Sequence, residues 1–536
     1  MQGQKITTMK KLLNFGILFI ISQYSIGQIL PQWTATYGND STLFYEVNDM
    51  VTDKAGNSYV YGYEEDTAYH DKGIIIKYNS NGIQQWLNTM NGLGSYGKIK
   101  TDKAGNVYII SRYDSIASSD FLTIKYNANG ILEWKAIYNG PANGNDTPSS
   151  ITFDDSLNVY VTGSSSNSSY FNYNFTTIKY DSSGAQKWVA IFDYSYEWSY
   201  DIAVDSLHNV YVTGSSLDSI NGNLITIKYD PSGNVIWTKR FLDNINSYGK
   251  FIDISADGFV YVGGVESSNG GSDYLCIKYD TSGNKLWSVK YDAQDTLPWN
   301  AQDSPEDMKL DLAGNVYFTG TQFVGNNPND AYCTVKFSSD GILQWAKSYK
   351  GGNGVDEAFS LDVDNQGNVY VFGDSQDSLY NNNKIFVTIK YDNLGNIIWI
   401  AKFDSVQQYN SFRATSIGID SFCNVYVTGV SSNLVSPHFV TLKYSFDTGI
   451  NEVPYNNLFC VYPNPSINFF NFEFSHRQNK RYYFYLYNII GQPIQIIDNI
   501  NSDRLIIDGS NFKNGIYFYQ LFENDFKIAN GKLIKI

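Results

Sequence analysis

Residues 205–237, DSLHNVYVTGSSLDSINGNLITIKYDPSGNVIW, hold a tight turn, a strand centred on 210–213, a variable polar loop, a strand over 224–229, a second tight turn and a strand entered by Trp237. The chain writes this unit eight times, at a period near 50 residues. One such unit cannot bury its apolar face alone, so the sequence specifies like units stacked on one another rather than a single ordinary core.

The first turn reads DKAGN at 53–57 and 102–106, DDSLN at 154–158, DSLHN at 205–209, SADGF at 255–259, DLAGN at 311–315, DNQGN at 364–368 and DSFCN at 420–424. A strand follows each, then a second strand carrying Lys77, Lys125, Lys179, Lys228, Lys278, Lys336, Lys390 or Lys443 before an aromatic residue. A second turn then leads to Trp86, Trp134, Trp188, Trp237, Trp287, Trp345 or Trp399. Three residues before the first turn an apolar side chain always stands: Met50, Ile99, Ile151, Ile202, Ile252, Met308, Leu361, Ile417. Four strands per unit, a to d, account for the pattern, and period-two alternation turns the apolar column toward a neighbouring sheet. The tryptophans of strand d are expected in the core between sheets.

The last unit, 414–444, has strands a, b and c but no d, whereas Trp33 stands alone in PQWTATYG. The economical solution is that residues 31–37 supply the missing strand, which leaves no open sheet edge. The predicted fold is all-β: an eight-bladed β-propeller over 29–444 closed by the N-terminal strand, a linker over 445–457, and a small β-sandwich over 458–536. Asp or Asn at the first turn position bonds its own backbone two residues on, and Gly at the fourth accepts positive φ. D-x-x-G-N lacks the alternating oxygens of a calcium loop, so no metal or other cofactor is expected.

Residues 1–28 carry Lys5, Lys10 and Lys11, no acid, and the apolar run 12–21, too short for a bilayer; they read as a signal peptide, with a short membrane anchor as the alternative. The remainder holds 35 basic against 53 acidic side chains, a net charge of −18 that repels phosphate backbones and argues against a nucleic-acid partner. Cys276, Cys333, Cys423 and Cys460 show no metal-ligand spacing, and Cys276 and Cys333 stand where other repeats carry small residues, as in a core. Only His70, His208, His438 and His476 occur, and G-x-S-x-G, H-E-x-x-H, P-loop and dinucleotide fingerprints are absent.

The a–b and c–d turns are stereotyped, whereas the b–c and d–a loops vary, so the loop face is the candidate binding surface. There Tyr194, Tyr196, Trp198 and Trp299 stand outside the repeat columns, beside Asp201, Asp303 and Asp307. Aromatic faces next to acceptors suit sugar rings; packing of the loops onto the sheet ends is the alternative. Asp49, Lys98, Lys100, Asp201, Asp253, Asp307, Lys309 and Asp362 flank the apolar column and should line a central channel, where paired carboxylates could serve a glycosidase.

Three families resemble parts of this chain. GNVYVTG…TIKYD-x-SG-x-x-x-W is similar to the SBBP-type bacterial β-propeller repeat, which implies a propeller and transfers no catalytic residue. D-x-S-G-x-x-x-W more loosely resembles the docking repeat of pyrroloquinoline quinone dehydrogenases, but their vicinal cysteine pair is missing. The C-terminal segment resembles the type A sorting domain of type IX secretion through Pro463-Asn464-Pro465, Gly491, Gly515 with Tyr517, and Lys532. That resemblance implies the type IX secretion machinery as a partner and a secreted or surface-attached protein. The expected function is a non-enzymatic, monomeric propeller binding glycan or a surface protein; a carboxylate enzyme and a structural adhesion protein are the alternatives.

Overall fold

The computed structural model describes residues 29–535 apart from 39–42, 69, 115–117, 168–171, 195, 218–221, 242–245, 269–270, 294–302, 324–329, 353, 379–380, 405–410, 433–436, 446–458, 463–465, 467, 475–479, 490–491 and 525. Among the described residues every regular element is a β-strand. Eight four-stranded antiparallel sheets lie between Trp33 and Tyr444. Numbered along the chain, their a strands are Phe44–Thr52, Leu93–Thr101, Asp146–Phe153, Glu197–Val204, Asn246–Ile254, Ser304–Leu310, Asp356–Val363 and Ser411–Ile419. Strands b, c and d follow in chain order in sheets 1 to 7. In sheet 8 the fourth place belongs to Trp33–Tyr37, which pairs with Pro437–Tyr444, Trp33 opposite Lys443 and Tyr37 opposite Phe439. Strand a of each sheet contacts strand a of the next, and Phe44–Thr52 contacts Ser411–Ile419.

Seven of the eight a–b hairpins open with an Asp that holds them, and Ser255 opens the eighth. Asp53 Oδ1 accepts the N–H groups of Ala55 (3.0 Å) and Asn57 (2.9 Å), and Oδ2 accepts the Asn57 amide (2.7 Å) and the Tyr59 hydroxyl (3.1 Å). The same four bonds recur around Asp154 and Asp420. The turn Asp, its Asn and the strand-b Tyr are therefore one hydrogen-bonded unit. The fourth turn position is left-handed: Gly56 has φ 80°, and Leu157, His208 and Cys423 hold φ of 60°, 62° and 60° where their repeats lack glycine.

A second joint links each sheet to the next. The Trp86 ring lies over Gly130 of sheet 2, where an added Cβ would collide with it. Its indole N–H donates to Ala128 O (3.1 Å), which also accepts Lys77 Nζ (3.1 Å). Trp237 and Lys228 share Thr281 O, Trp345 and Lys336 share Asn393 O, and Trp33 and Lys443 share Ser80 O of sheet 1 at 3.0 Å each. The expectation that these tryptophans form the core needs correction: Trp345 and Trp399 are buried, but the others in the column are half-buried. The half-buried rings cover the rim of a neighbouring turn and pack against the edge of the inter-sheet space, which Trp345 and Trp399 enter. That space is filled by the apolar column Met50 to Ile417 and by the buried strand-b tyrosines Tyr59, Tyr108, Tyr160, Tyr211, Tyr261, Tyr317, Tyr370 and Tyr426. Cys276 and Cys333 are buried free thiols within the same packing.

Strand a breaks the period-two pattern. Its register against strand b slips at Asn48, Ser149, Tyr200, Lys250, Glu306, Phe359 and Thr415, and over 94–96 in sheet 2. An inserted residue twists the strand, so consecutive side chains can face the same space.

Past Tyr444, Phe459–Tyr462, Phe469–Phe474 and Arg504–Asp508 form a three-stranded sheet. Pro493–Asp498, Tyr482–Tyr487, Gly515–Glu523 and Phe526–Lys535 form a four-stranded one. Phe470, Phe472, Phe484, Leu486, Tyr519 and Leu521 fill their common core.

Candidate functional site

The a strands line two adjoining cavities. A narrow one of about 620 Å³ is bordered by Asp49, Lys98, Lys100, Asp201, Asp253, Asp307, Lys309 and Asp362, the eight polar residues that alternation turns inward. Four of these carboxylates strap neighbouring sheets together. Asp49 accepts the Ile99 N–H (3.2 Å), Asp201 the Ile252 N–H (2.9 Å) and Ser150 hydroxyl (2.7 Å), Asp307 the Leu361 N–H (2.9 Å) and Ser360 hydroxyl (3.1 Å), and Asp362 the Ile419 N–H (3.0 Å). Burial pushes the Asp253 and Asp362 carboxyls up although Lys309 pulls both down. Burial likewise lowers the Lys100 ammonium, whereas Asp307, 3.8 Å from Lys309, raises that ammonium well above its ordinary range.

The wider cavity, about 1090 Å³, shares Asn48, Lys98, Ser149, Tyr200, Lys250 and Phe359 with the narrow one. Its wall is aromatic, and four of its rings remain open: Phe44 (49 % exposed), Tyr96 (56 %), Trp198 (39 %) and Tyr200 (39 %). Tyr173 stacks on Trp198 with centroids 6.0 Å apart at 27°, and Tyr196 meets its edge at 4.7 Å and 89°. Lys98, Arg112, Lys250 and Arg413 also line this cavity, against the single carboxylate Glu46. Arg413 pairs with Glu46 (2.6 Å), Arg112 with Asp114 (2.8 Å), and Lys250 with Glu306 (3.1 Å) while donating to Pro305 O (2.7 Å).

The candidate residues separate accordingly. Trp198 lines the wide cavity, and Asp201 and Asp307 line the narrow one. Tyr196 buttresses Trp198, and Tyr194 lies apart under the Arg240 guanidinium, 3.5 Å from its ring centre. Asp303 is buried, 1 % exposed, and accepts the N–H groups of Phe323 (3.1 Å) and Ala293 (3.2 Å). Buried Asp146 and Asp356 act alike at the start of their own a strands, taking the N–H groups of Gly140 and Gly351. Trp299 lies outside the described residues, as do Pro463, Asn464, Pro465 and Gly491 of the sorting motif. Gly515 pairs with Lys535, Lys532 pairs with Phe518, and the Tyr517 hydroxyl donates to Lys513 O (2.7 Å).

Alternation along strand a misses Tyr200, Lys250 and Phe359, because it assigns them to the face of the apolar column. The bulge reverses them. Their column, two residues ahead of the apolar one, is the most chemically varied of the repeat: Asn48, Gly97, Ser149, Tyr200, Lys250, Glu306, Phe359, Thr415. That variation is the signal that could have found them.

Two family models match parts of the chain. Residues 134–171 match the model of the beta-propeller repeat, and residues 460–535 match that of the secretion system C-terminal sorting domain. No curated protein matches the chain. Solved structures similar to it include Sqt1 from Chaetomium thermophilum, at 11% identity over 77% of this chain and 100% of that one, with a TM-score of 0.43. The polysaccharide lyase Uly1 is 11% identical over 67% of this chain and 93% of its own, TM-score 0.41. A mutant puromycin hydrolase is 9% identical over 73% of this chain and 59% of its own, TM-score 0.45. The chain therefore carries a beta-propeller repeat and a C-terminal sorting domain, and that domain marks it for export by type IX secretion to the cell surface or the extracellular space.

Proposed function

We propose that sheets 1 to 8 are the blades of one propeller spanning 29–444, closed by Trp33–Tyr37 and joined by the 445–457 linker to the sorting domain at 458–536, and that this propeller binds a glycan in its wide cavity. The observation that carries the reading is the set of four open rings, Phe44, Tyr96, Trp198 and Tyr200, on the wall of a single cavity. Sugar rings present flat C–H faces that stack on aromatic side chains, and their hydroxyls need the polar groups that alternate with those rings here. Binding without turnover fits the neighbouring carboxylates, since Asp49, Asp201 and Asp307 serve as acceptors for backbone N–H groups of adjacent sheets. A second reading, a carbohydrate-active enzyme, draws on Asp253 and Asp362, whose raised carboxyls border the narrow cavity.

The test is a polysaccharide array probed with the purified chain, alongside Trp198→Ala and Tyr200→Ala, with and without calcium. Binding that both substitutions weaken while the melting temperature holds supports the glycan site. Equal binding by all three proteins removes it, and release of sugar products that Asp253→Asn abolishes moves the function to the enzyme reading.

A further inference from the structure

The chain is strongly acidic, yet its wide cavity is not. Acidic side chains outnumber basic ones 53 to 38 overall, whereas four cations and one carboxylate line the wide cavity. This inversion is local: the adjoining narrow cavity is bordered by six carboxylates, Asp49, Asp201, Asp253, Glu306, Asp307 and Asp362, against Lys98, Lys100, Lys250 and Lys309. Lys98 and Lys250 border both spaces, so they stand where the charge changes sign.

We propose that the wide cavity takes an acidic polysaccharide, one bearing uronate carboxylates or sulfate esters, with its anionic groups held by Lys98, Lys250 and Arg413; this rests on the glycan reading above. Three features of the geometry define the interaction. Lys98 has no carboxylate within ion-pair distance among the described residues, so its ammonium is available to a ligand anion. Arg413 is 68 % exposed at its side chain although paired with Glu46, and an open ion pair of this kind is weak enough to exchange its carboxylate for one on a ligand. Its guanidinium also offers a planar fork that matches carboxylate and sulfate oxygens two at a time. Arg112 lies over the Tyr96 ring at 5.5 Å, which joins a cation to one of the stacking faces.

The negative depth of the narrow cavity sets how the polymer lies. An anionic chain threading inward would pass Lys98 and Lys250 and meet five aspartates, four of them fixed by backbone N–H groups of the next sheet. The polymer therefore crosses the mouth, its sugar faces on Trp198 and Tyr200 and its anions on Lys98, Lys250 and Arg413.

Calorimetric titration of the purified full chain tests this with polygalacturonate, dextran sulfate, neutral dextran and poly-glutamate. At low salt one or both acidic polysaccharides should bind at least about 10-fold more tightly than dextran, weakening as sodium chloride rises. Lys98→Gln, a substitution at an exposed side chain, should cost about 10-fold in that affinity, the size of one charge-assisted hydrogen bond, and leave thermal stability unchanged. Preference for polygalacturonate assigns a uronate, preference for dextran sulfate a sulfate ester. Dextran binding as tightly as the acidic polymers, with Lys98→Gln inert, overturns the anionic assignment and leaves the glycan reading standing. Poly-glutamate binding as tightly as either polysaccharide overturns the sugar assignment, and binding of none of the four overturns both.

Discussion

Buried aspartates stand at both ends of these sheets, and their environments are opposite. At the turn end Asp154 is buried, and burial would raise its carboxyl, but hydrogen bonds from Asn158 and Tyr160 together with His208 bring it below the ordinary range. Asp230 and Asp280, in c–d turns, are lowered by the side chains and backbone of Asn234 and Asn284. At the loop end burial dominates: Asp146 and Asp356 are raised, and Asp374 is pushed up to about 6 despite Lys384 at 2.8 Å. The turn end repeats one hydrogen-bonded solution in every sheet but the fifth, where Ser255 replaces the Asp, whereas the loop end solves each sheet separately. Repetition marks scaffold here, and departures from it mark the surface on which binding can be built.

The largest test of this contrast lies at the turn end. Trp345→Ala removes a ring only 9 % exposed together with its bond to Asn393 O, and should cost about 3–5 kcal/mol in urea denaturation. Trp237→Ala, at a half-buried copy of the same joint, should cost about half as much; equal losses would mean that burial does not govern the column.

The two aspartate classes predict pH dependences of opposite sign. Asp374 has a folded value above its unfolded one, so its contribution declines as pH rises from about 4 to about 6, and Asp374→Asn should flatten stability over that window. Asp154 has a depressed folded value; its contribution is complete above about pH 4 and is lost below it, so Asp154→Asn should flatten the acid limb instead. Identical pH profiles for the two variants would erase the distinction between the ends.

Smaller effects separate tether from ligand group at the loop end. Asp303→Ala leaves the Ala293 and Phe323 amides without their acceptor and should cost about 1–3 kcal/mol of stability. Trp198→Ala should change stability by less than about 1 kcal/mol, yet reduce glycan affinity about 10-fold by titration. Tyr194→Ala, on a ring covered by Arg240 outside both cavities, should alter neither measurement beyond about 0.5 kcal/mol.

The repeat period, the turn chemistry, the all-β class and the partner strand for the unit at 414–444 were legible in the sequence, because each depends on local spacing or on counting strands. Trp33 was identifiable as the odd tryptophan, and it pairs opposite Lys443 as Trp86 pairs opposite Lys77. The eight inward polar residues followed from alternation and border one cavity. The sorting segment was legible for a different reason, as a set of short motifs close to the chain end.

Tertiary structure alone decided the rest. A bulge is one residue of slippage between two strands, invisible to a single-strand period, and it delivers Tyr200, Lys250 and Phe359 to the cavity. Asp303 and Asp307 are four residues apart and look alike in sequence, yet one is buried and the other opens on a cavity. Phe44, Tyr96 and Trp198 come from sheets 1, 2 and 4, and only the packing of those sheets places their rings on one wall. The sequence by itself determined the unit and how it repeats, since backbone turns and strand pairing are local; what the units enclose is a property of their assembly, because a cavity has no sequence neighbourhood.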